Sequence, residues 1–200
     1  MNKQYGISLI SLLIGLLISS IVLIGMMMIF RNTIQTTVPA SESSRSDGER
    51  VSALLSAHML LQDAGFGIAD AAYNTHLRIL NDDTLVALDA PSGSIATGNT
   101  IVWLSDIAGS IQCNGLRADT SGGLWRVSCD TMMGNITPTA RLVLPSQYST
   151  DDVEPITIVA TRAPCWPFGI GVEGSIKITL VVQNSTEHFI DSSTCMVNFV

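Results

Sequence analysis

The sequence predicts an α+β protein: one long N-terminal helix followed by a head built on an antiparallel β-sheet or sandwich. Three observations predict it. From Ile7 to Phe30 the chain runs for 24 residues with no charge and no Asn, Gln, His or Pro. Apolar residues then recur at helical spacing up to a pair of glycines, Gly65 and Gly67. After Tyr73 the period changes, and short β-branched runs alternate with clusters of Gly, Pro, Asn, Asp and Ser. The 200 residues are 46% hydrophobic and only 14% charged, against roughly 25% charged in soluble domains. That composition excludes a disordered chain, which needs low hydrophobicity and high charge. The net charge of −7, with Lys3 and Lys177 the only lysines, lacks the basic face of a general nucleic-acid binder.

The first element is the apolar run. About 20 apolar residues suffice for a helix to cross a hydrocarbon core. Residues 7–30 meet that length, after a polar leader at 1–6 and before Arg31. A cleaved secretory signal would have a core of about 7–15 residues and a small-x-small cut after it. This run is longer, and Met26–Phe30 offers no such cut. A signal anchor fits, as does a signal cut before the run. Gly6 stands alone between leader and run. Ser11, Gly15 and Ser19 recur every four residues on one stripe. Such stripes let membrane helices approach closely, although Ser and Gly are also simply tolerated there. Met26, Met27 and Met28 read as flexible apolar filler.

Residues 31–67 read as an amphipathic continuation. Pro39 is predicted to kink or interrupt the helix, and Ser43 or Ser46 to cap a second helical segment. Val51, Leu54, Leu55, His58, Leu61 and Gln62 lie at helical spacing, with Ala57, Leu60 and Ala64 nearby. A continuous helix from Ile7 to Ala64 would span about 87 Å.

Residues 68–200 form the head. Candidate strands are Thr84–Asp89, Thr100–Leu104, Leu124–Asp130, Ala140–Leu144, Ile156–Thr161, Ser175–Gln183, Glu187–Ile190 and Met196–Val200. No helical pattern recurs between them, which argues against parallel βαβ units. Four cysteines, Cys113, Cys129, Cys165 and Cys195, all lie in the head. An even count on an oxidising side reads as two disulfides with three possible connectivities. The local pairing, Cys113–Cys129 and Cys165–Cys195, is preferred, at roughly 3 kcal/mol per bridge. Zinc is disfavoured because no C-x-x-C pair is present and the three His are scattered.

Catalytic motifs fail on context. Gly169-x-Gly171-x-x-Gly174 matches a dinucleotide fingerprint by letter, but Pro164, Cys165 and Pro167 precede it and a strand-like run comes after it. Walker A, G-x-S-x-G and H-E-x-x-H are absent. His58 and Asp63 are five residues apart and do not share a helix face, and His76 and His188 lack a neighbouring nucleophile. Asp82-Asp83 and Asp151-Asp152 with Glu154 match no standard calcium loop and read as solvated turns. Trp103, Trp125 and Trp166 read as core or interface anchors. No catalysis, cofactor or metal is expected.

Two motifs carry a resemblance. Lys3-Gln4-Tyr5-Gly6-Ile7-Ser8-Leu9-Ile10-Ser11-Leu12-Leu13-Ile14 resembles a type IV prepilin N-terminus. Arg45-Ser46-Asp47-Gly48-Glu49-Arg50-Val51 followed by Leu60-Leu61-Gln62-Asp63-Ala64-Gly65-Phe66-Gly67 is similar to the PilW-type minor pilins, and more loosely to J-type pseudopilins of type II secretion. The resemblance covers residues 1–67. It implies a pilin-like fold, cleavage between Gly6 and Ile7 by a prepilin peptidase, and N-methylation of Ile7. It also implies an inner-membrane helix with a periplasmic head, and later incorporation into a pilus at the cell surface. The implied partners are other minor pilins, the major pilin and a tip adhesin, with no nucleic acid. Ser11 stands where the family has the Glu that is thought to pair with a neighbour's amino terminus. That departure suits a minor subunit at a filament tip. A type II secretion pseudopilin, or an anchored periplasmic binding domain outside any filament, are the alternatives.

Overall fold

The computed structural model describes residues 9–82, 84–86, 93–130, 132, 134–143, 156–165, 174–183 and 189–199. The chain divides into two compact units, Met1–Asp47 and Gly48–Val200.

The helix α1 runs over Leu9–Gln62, with Pro39 inside it. The interruption expected at Pro39 does not occur. A proline removes one backbone hydrogen bond, and this one sits in an exposed stretch where water can satisfy the freed carbonyl. In the first unit the described residues from Leu9 to Ser41 are exposed throughout.

In the second unit the end of α1 contributes to a shared core. Ala53, Leu54, Ala57 and Leu61, with Ala64 just beyond the helix, are buried in it. Val51 and Leu55, expected on the same packing face, are exposed. The face is seated closely through Ala53 and Ala57, with Leu54, Leu61 and the half-buried Leu60 supplying bulk. The helix then stops in glycine conformations: Gly65 (φ 72°) and Gly67 (φ 74°) are both left-handed. The carbonyl of Ala64 accepts a hydrogen bond from Asn198 Nδ2 at 2.8 Å, which satisfies an orphan group of the helix end.

Among the described residues, ten strands follow: β1 (Leu77–Asn81), β2 (Thr84–Val86), β3 (Ile95–Gly98), β4 (Thr100–Ile107), β5 (Ser110–Ala118), β6 (Leu124–Cys129), β7 (Ile136–Val143), β8 (Thr157–Cys165), β9 (Gly174–Gln183) and β10 (Phe189–Cys195). A six-stranded sheet has the order β2-β1-β4-β5-β6-β7, and a four-stranded sheet the order β10-β9-β8-β3. Every named strand pair is antiparallel. Both sheets turn one face to the same core, where Leu77, Ile79, Ile101, Trp103 and Leu116 meet Ile158, Ile176 and Ile178. Alternation along β9 is regular, with Ile176, Ile178, Leu180 and Val182 buried and the residues between them half-buried.

The strand expectations need correction in several places. β1, β3 and β5 fall outside every expected strand. β7 begins four residues before Ala140 and carries Pro138. β10 extends five residues past Ile190, because Asp191–Cys195 pair with Val181–Lys177 of β9. In place of the expected strand Met196–Val200, residues 197–198 turn and Phe199 makes an isolated bridge with Ala71, while Val200 lies outside the described residues. The expected strand Thr84–Asp89 is described only to Val86.

Candidate functional site

The candidate functional features are the exposed apolar surfaces and the contacts that fix the elements bearing them. Gly6 and Ile7 lie outside the described residues. Ser11, Gly15 and Ser19 all lie on α1 and are exposed, with open space where a side chain at Gly15 would project. The stretch Leu9–Ser41 is long and apolar enough to cross a membrane. Its large apolar side chains, including Leu13, Leu17 and Ile24, are exposed.

The end of α1 has a second apolar stripe. Val51, Leu55 and Met59 recur every four residues and point away from the buried face. His58 is held between these faces. Its Nδ1 lies 2.6 Å from Oγ1 of the buried Thr194 on β10, and its Nε2 lies 3.1 Å from Nε2 of Gln62. The amide nitrogen of Gln62 donates in this arrangement, so Nδ1 carries the proton and donates to Thr194. His58 therefore ties the helix to the four-stranded sheet, and it makes no pair with Asp63.

The six-stranded sheet carries the disulfide. Cys113 on β5 and Cys129 on β6 are bonded, with Cα atoms 5.1 Å apart. They sit in a small apolar cluster with Leu80, Val102 and Met132, separate from the main core. Cys195 is also disulfide-bonded, while the side chain of Cys165, its expected partner, lies outside the described residues. The backbones of Cys165 and Cys195 pair with Gly174 and Lys177, both on β9.

Trp103 is buried in the core, as expected of an anchor. Trp125 is half-buried and fixed from two sides. Its indole N–H donates to Asp119 Oδ2 at 3.1 Å, and the Arg141 guanidinium stacks 4.2 Å from the ring centre. Asp119 Oδ1 accepts bonds from the Ser121 hydroxyl and from the amides of Ser121 and Gly123. Partial burial pushes the Asp119 carboxyl up, but these donors and the indole outweigh it and hold it below its ordinary value. Its contribution to stability is thus present at neutral pH and lost in acid as the pH falls through that lowered value. Trp166 lies outside the described residues.

Tyr73 is buried, and its hydroxyl donates to the Val86 carbonyl at 3.2 Å. Burial pushes its pKa up to about 12, against the lowering effects of the Ile79 backbone and the Arg162 charge. Asp82 is a turn residue (φ 46°) whose carboxylate accepts a bond from Asn99 at 2.8 Å. Asp83, Asp151, Asp152, Glu154 and His188 lie outside the described residues. Among the described residues, no three His, Cys, Asp or Glu side chains gather as metal ligands.

Phe66, within the Ala64–Gly67 motif, is exposed, as are Ile107 and Ile111 beside the β4–β5 turn, which no sequence motif singles out. Ile111 lies opposite Asp106 and Ile107 opposite Ser110, so the two isoleucines are on different faces of the hairpin. The uncharged stretch from Ile107 to Leu116 is the signal that could have found them. No protein family, curated protein or solved structure matches the chain. It is established as an α+β protein with one apolar N-terminal helix and a disulfide-containing antiparallel β head.

Proposed function

We propose that this chain is a minor subunit of a type IV pilus-like filament, of the PilW-like type, and that its role is assembly rather than catalysis. One observation carries the reading. An isolated glycine, Gly6, precedes an uncharged run, and the second motif, Ala64-Gly65-Phe66-Gly67, comes after it in the family's order. Two features support it. The apolar stretch of α1 finds no cover within the described residues, so it calls for lipid or other helices. Val51, Leu55 and Met59 extend that need to the head.

In this reading the prepilin peptidase cuts between Gly6 and Ile7, and the apolar helix holds the subunit in the inner membrane until it is extracted. Helices then pack side by side in a head-to-tail arrangement that does not close, which generates a filament and not a ring. Ser11 cannot pair with a neighbour's amino terminus, so the subunit sits at or near the tip and helps to start assembly. Partners are other minor pilins, the major pilin and a tip adhesin.

Intact-mass measurement of the purified protein tests this. A mature chain beginning at N-methylated Ile7 supports it. Retention of Met1 overturns it in favour of a signal-anchored periplasmic domain. The tip position has its own test: Ser11→Glu should still be processed but should change pilus number or length.

A further inference from the structure

We propose that Arg141, stacked on Trp125 on the outer face of the six-stranded sheet, is the receptor for a carboxylate of an acidic polysaccharide, one that carries acidic sugars among neutral ones. The inference rests on the head alone and holds whether or not the chain enters a filament. Four observations carry it.

The first is placement. Arg117 on β5, Trp125 on β6 and Arg141 on β7 are direct cross-strand partners and form one row. Their sequence neighbours Leu116, Ala118 and Leu124 are buried in the main core. The row therefore lies on the opposite face, which strand alternation turns outward. Arg126 lies on the core-side face, in register with Leu116, and donates to Asn114 at 3.4 Å. The second is rigidity. Asp119 Oδ2 accepts the indole N–H of Trp125, and Oδ1 is taken by Ser121 and Gly123. That carboxylate is used in fixing the ring and the turn. A Cβ at Gly123 would press on it, so the turn has little room to shift.

The third observation is an open donor group. The Arg141 guanidinium lies 4.2 Å from the centre of the Trp125 ring, and Arg141 is exposed. Among the described residues it makes no hydrogen bond or ion pair beside this contact. A guanidinium held over a ring keeps N–H donors at its edge, where a planar carboxylate can accept two in parallel. The stack also limits the side chain's freedom before a ligand arrives, so less is lost on binding. Arg117 stands two strands away, about 10 Å off, and adds positive field.

The fourth is what surrounds the row, and it selects the ligand. The protein carries −7, yet the row sets Arg117 and Arg141 against Asp119 alone. An anion is steered to such a place and away from the rest of the surface. Beyond Ile111 no described large apolar side chain is exposed. A protein partner needs an apolar centre for its interface, and a lipid surface needs apolar anchors. A nucleic acid, charged at every unit, needs many cations, and the row offers two. Thr120 and Ser121 in the Asp119 turn, and Thr139 two residues before Arg141, are exposed and bring hydroxyls to the rim. A hydroxyl-rich polymer with separated carboxylates matches that surface.

The test is isothermal titration of the purified full chain, in uncharged detergent, with a hyaluronan octasaccharide, in which glucuronate alternates with a neutral sugar. Its methyl ester, a Glu-rich peptide and single-stranded DNA of equal charge are the comparison ligands. The acid form should bind, and its ester about tenfold more weakly. Arg141→Gln should weaken binding of the acid form about tenfold, and Arg141→Lys about threefold, because an ammonium cannot pair in parallel. Arg126→Gln, on the opposite face, should leave the affinity within about twofold. Each variant should keep the parent's near-ultraviolet circular dichroism; the ester comparison needs no variant and decides if one fails to fold. No binding of the acid form, equal binding of its ester, unchanged affinity in folded Arg141→Gln, or tighter binding of the peptide or the DNA would each overturn the proposal. The filament reading is tested separately, by the amino terminus at Ile7.

Discussion

Two stretches of the same helix use apolar residues for opposite ends. From Leu9 to Phe30 the large side chains are apolar all round and none is buried. From Gly48 to Gln62 apolar and polar residues mix, and the helix buries one narrow face through Ala53, Leu54, Ala57 and Leu61. The second stretch is stabilised by its own fold. The first has nothing of its own to stabilise it and depends on whatever solvates it. Apolar content alone therefore does not locate a core; the residues that make one are the small and large side chains that alternate on a seated face.

The largest effect should separate these stretches. Leu61→Ala should cost the head about 2–5 kcal/mol, because it opens space in a close-packed core. Leu13→Ala should leave the head's denaturation midpoint unchanged in the same detergent. Equal shifts would break the comparison. Next, Cys113→Ser with Cys129→Ser should cost about 3 kcal/mol, given the 16-residue separation of the bridge. Urea titration of the full chain with and without the bridge measures it. Membrane anchoring, read by fractionation, should not change.

A third effect is alkaline. Tyr73 holds its proton more tightly folded than unfolded, so its contribution is complete below about pH 10 and is lost as the pH rises to about 12. Tyr73→Phe should flatten that fall, as tracked by chemical denaturation at about pH 9 and about pH 11.5. The smallest effect sharpens the contrast within the head's own helix. Leu55→Asp should move head stability by less than about 0.5 kcal/mol, as surface changes do, although Leu54 beside it is buried.

Much of the architecture is legible in the sequence. The helix, the change to strand periodicity and the antiparallel class come from Ile7–Phe30, the Gly65 and Gly67 stop and runs such as Ser175–Gln183. The illegible parts depend on partners in space. β5 contains Gln112, Asn114 and Gly115, residues with poor strand preference. It is a strand because β4 and β6 flank it on both sides. The Asp191-Ser192-Ser193-Thr194 stretch is likewise recruited by β9. Spacing places Val51 and Leu55 on the packing face because it cannot tell a face seated through alanines from one seated through leucines. The seating of Phe66 on the end of β4 is hidden because a tertiary hydrogen bond, from the Asp106 amide to the Phe66 carbonyl, makes it.

The last strand of the larger sheet matters beyond its own pairing. β7 ends the six-stranded order, so among the described residues one side of its backbone pairs with no strand. It carries Pro138, and its register against β6 shifts twice, between Leu124 and Trp125 and between Arg126 and Val127. A proline withholds a donor and a bulge twists the rim, so the strand is a poor template for another chain. Two heads brought close together are therefore less able to join through this rim, which leaves their side chains to meet instead.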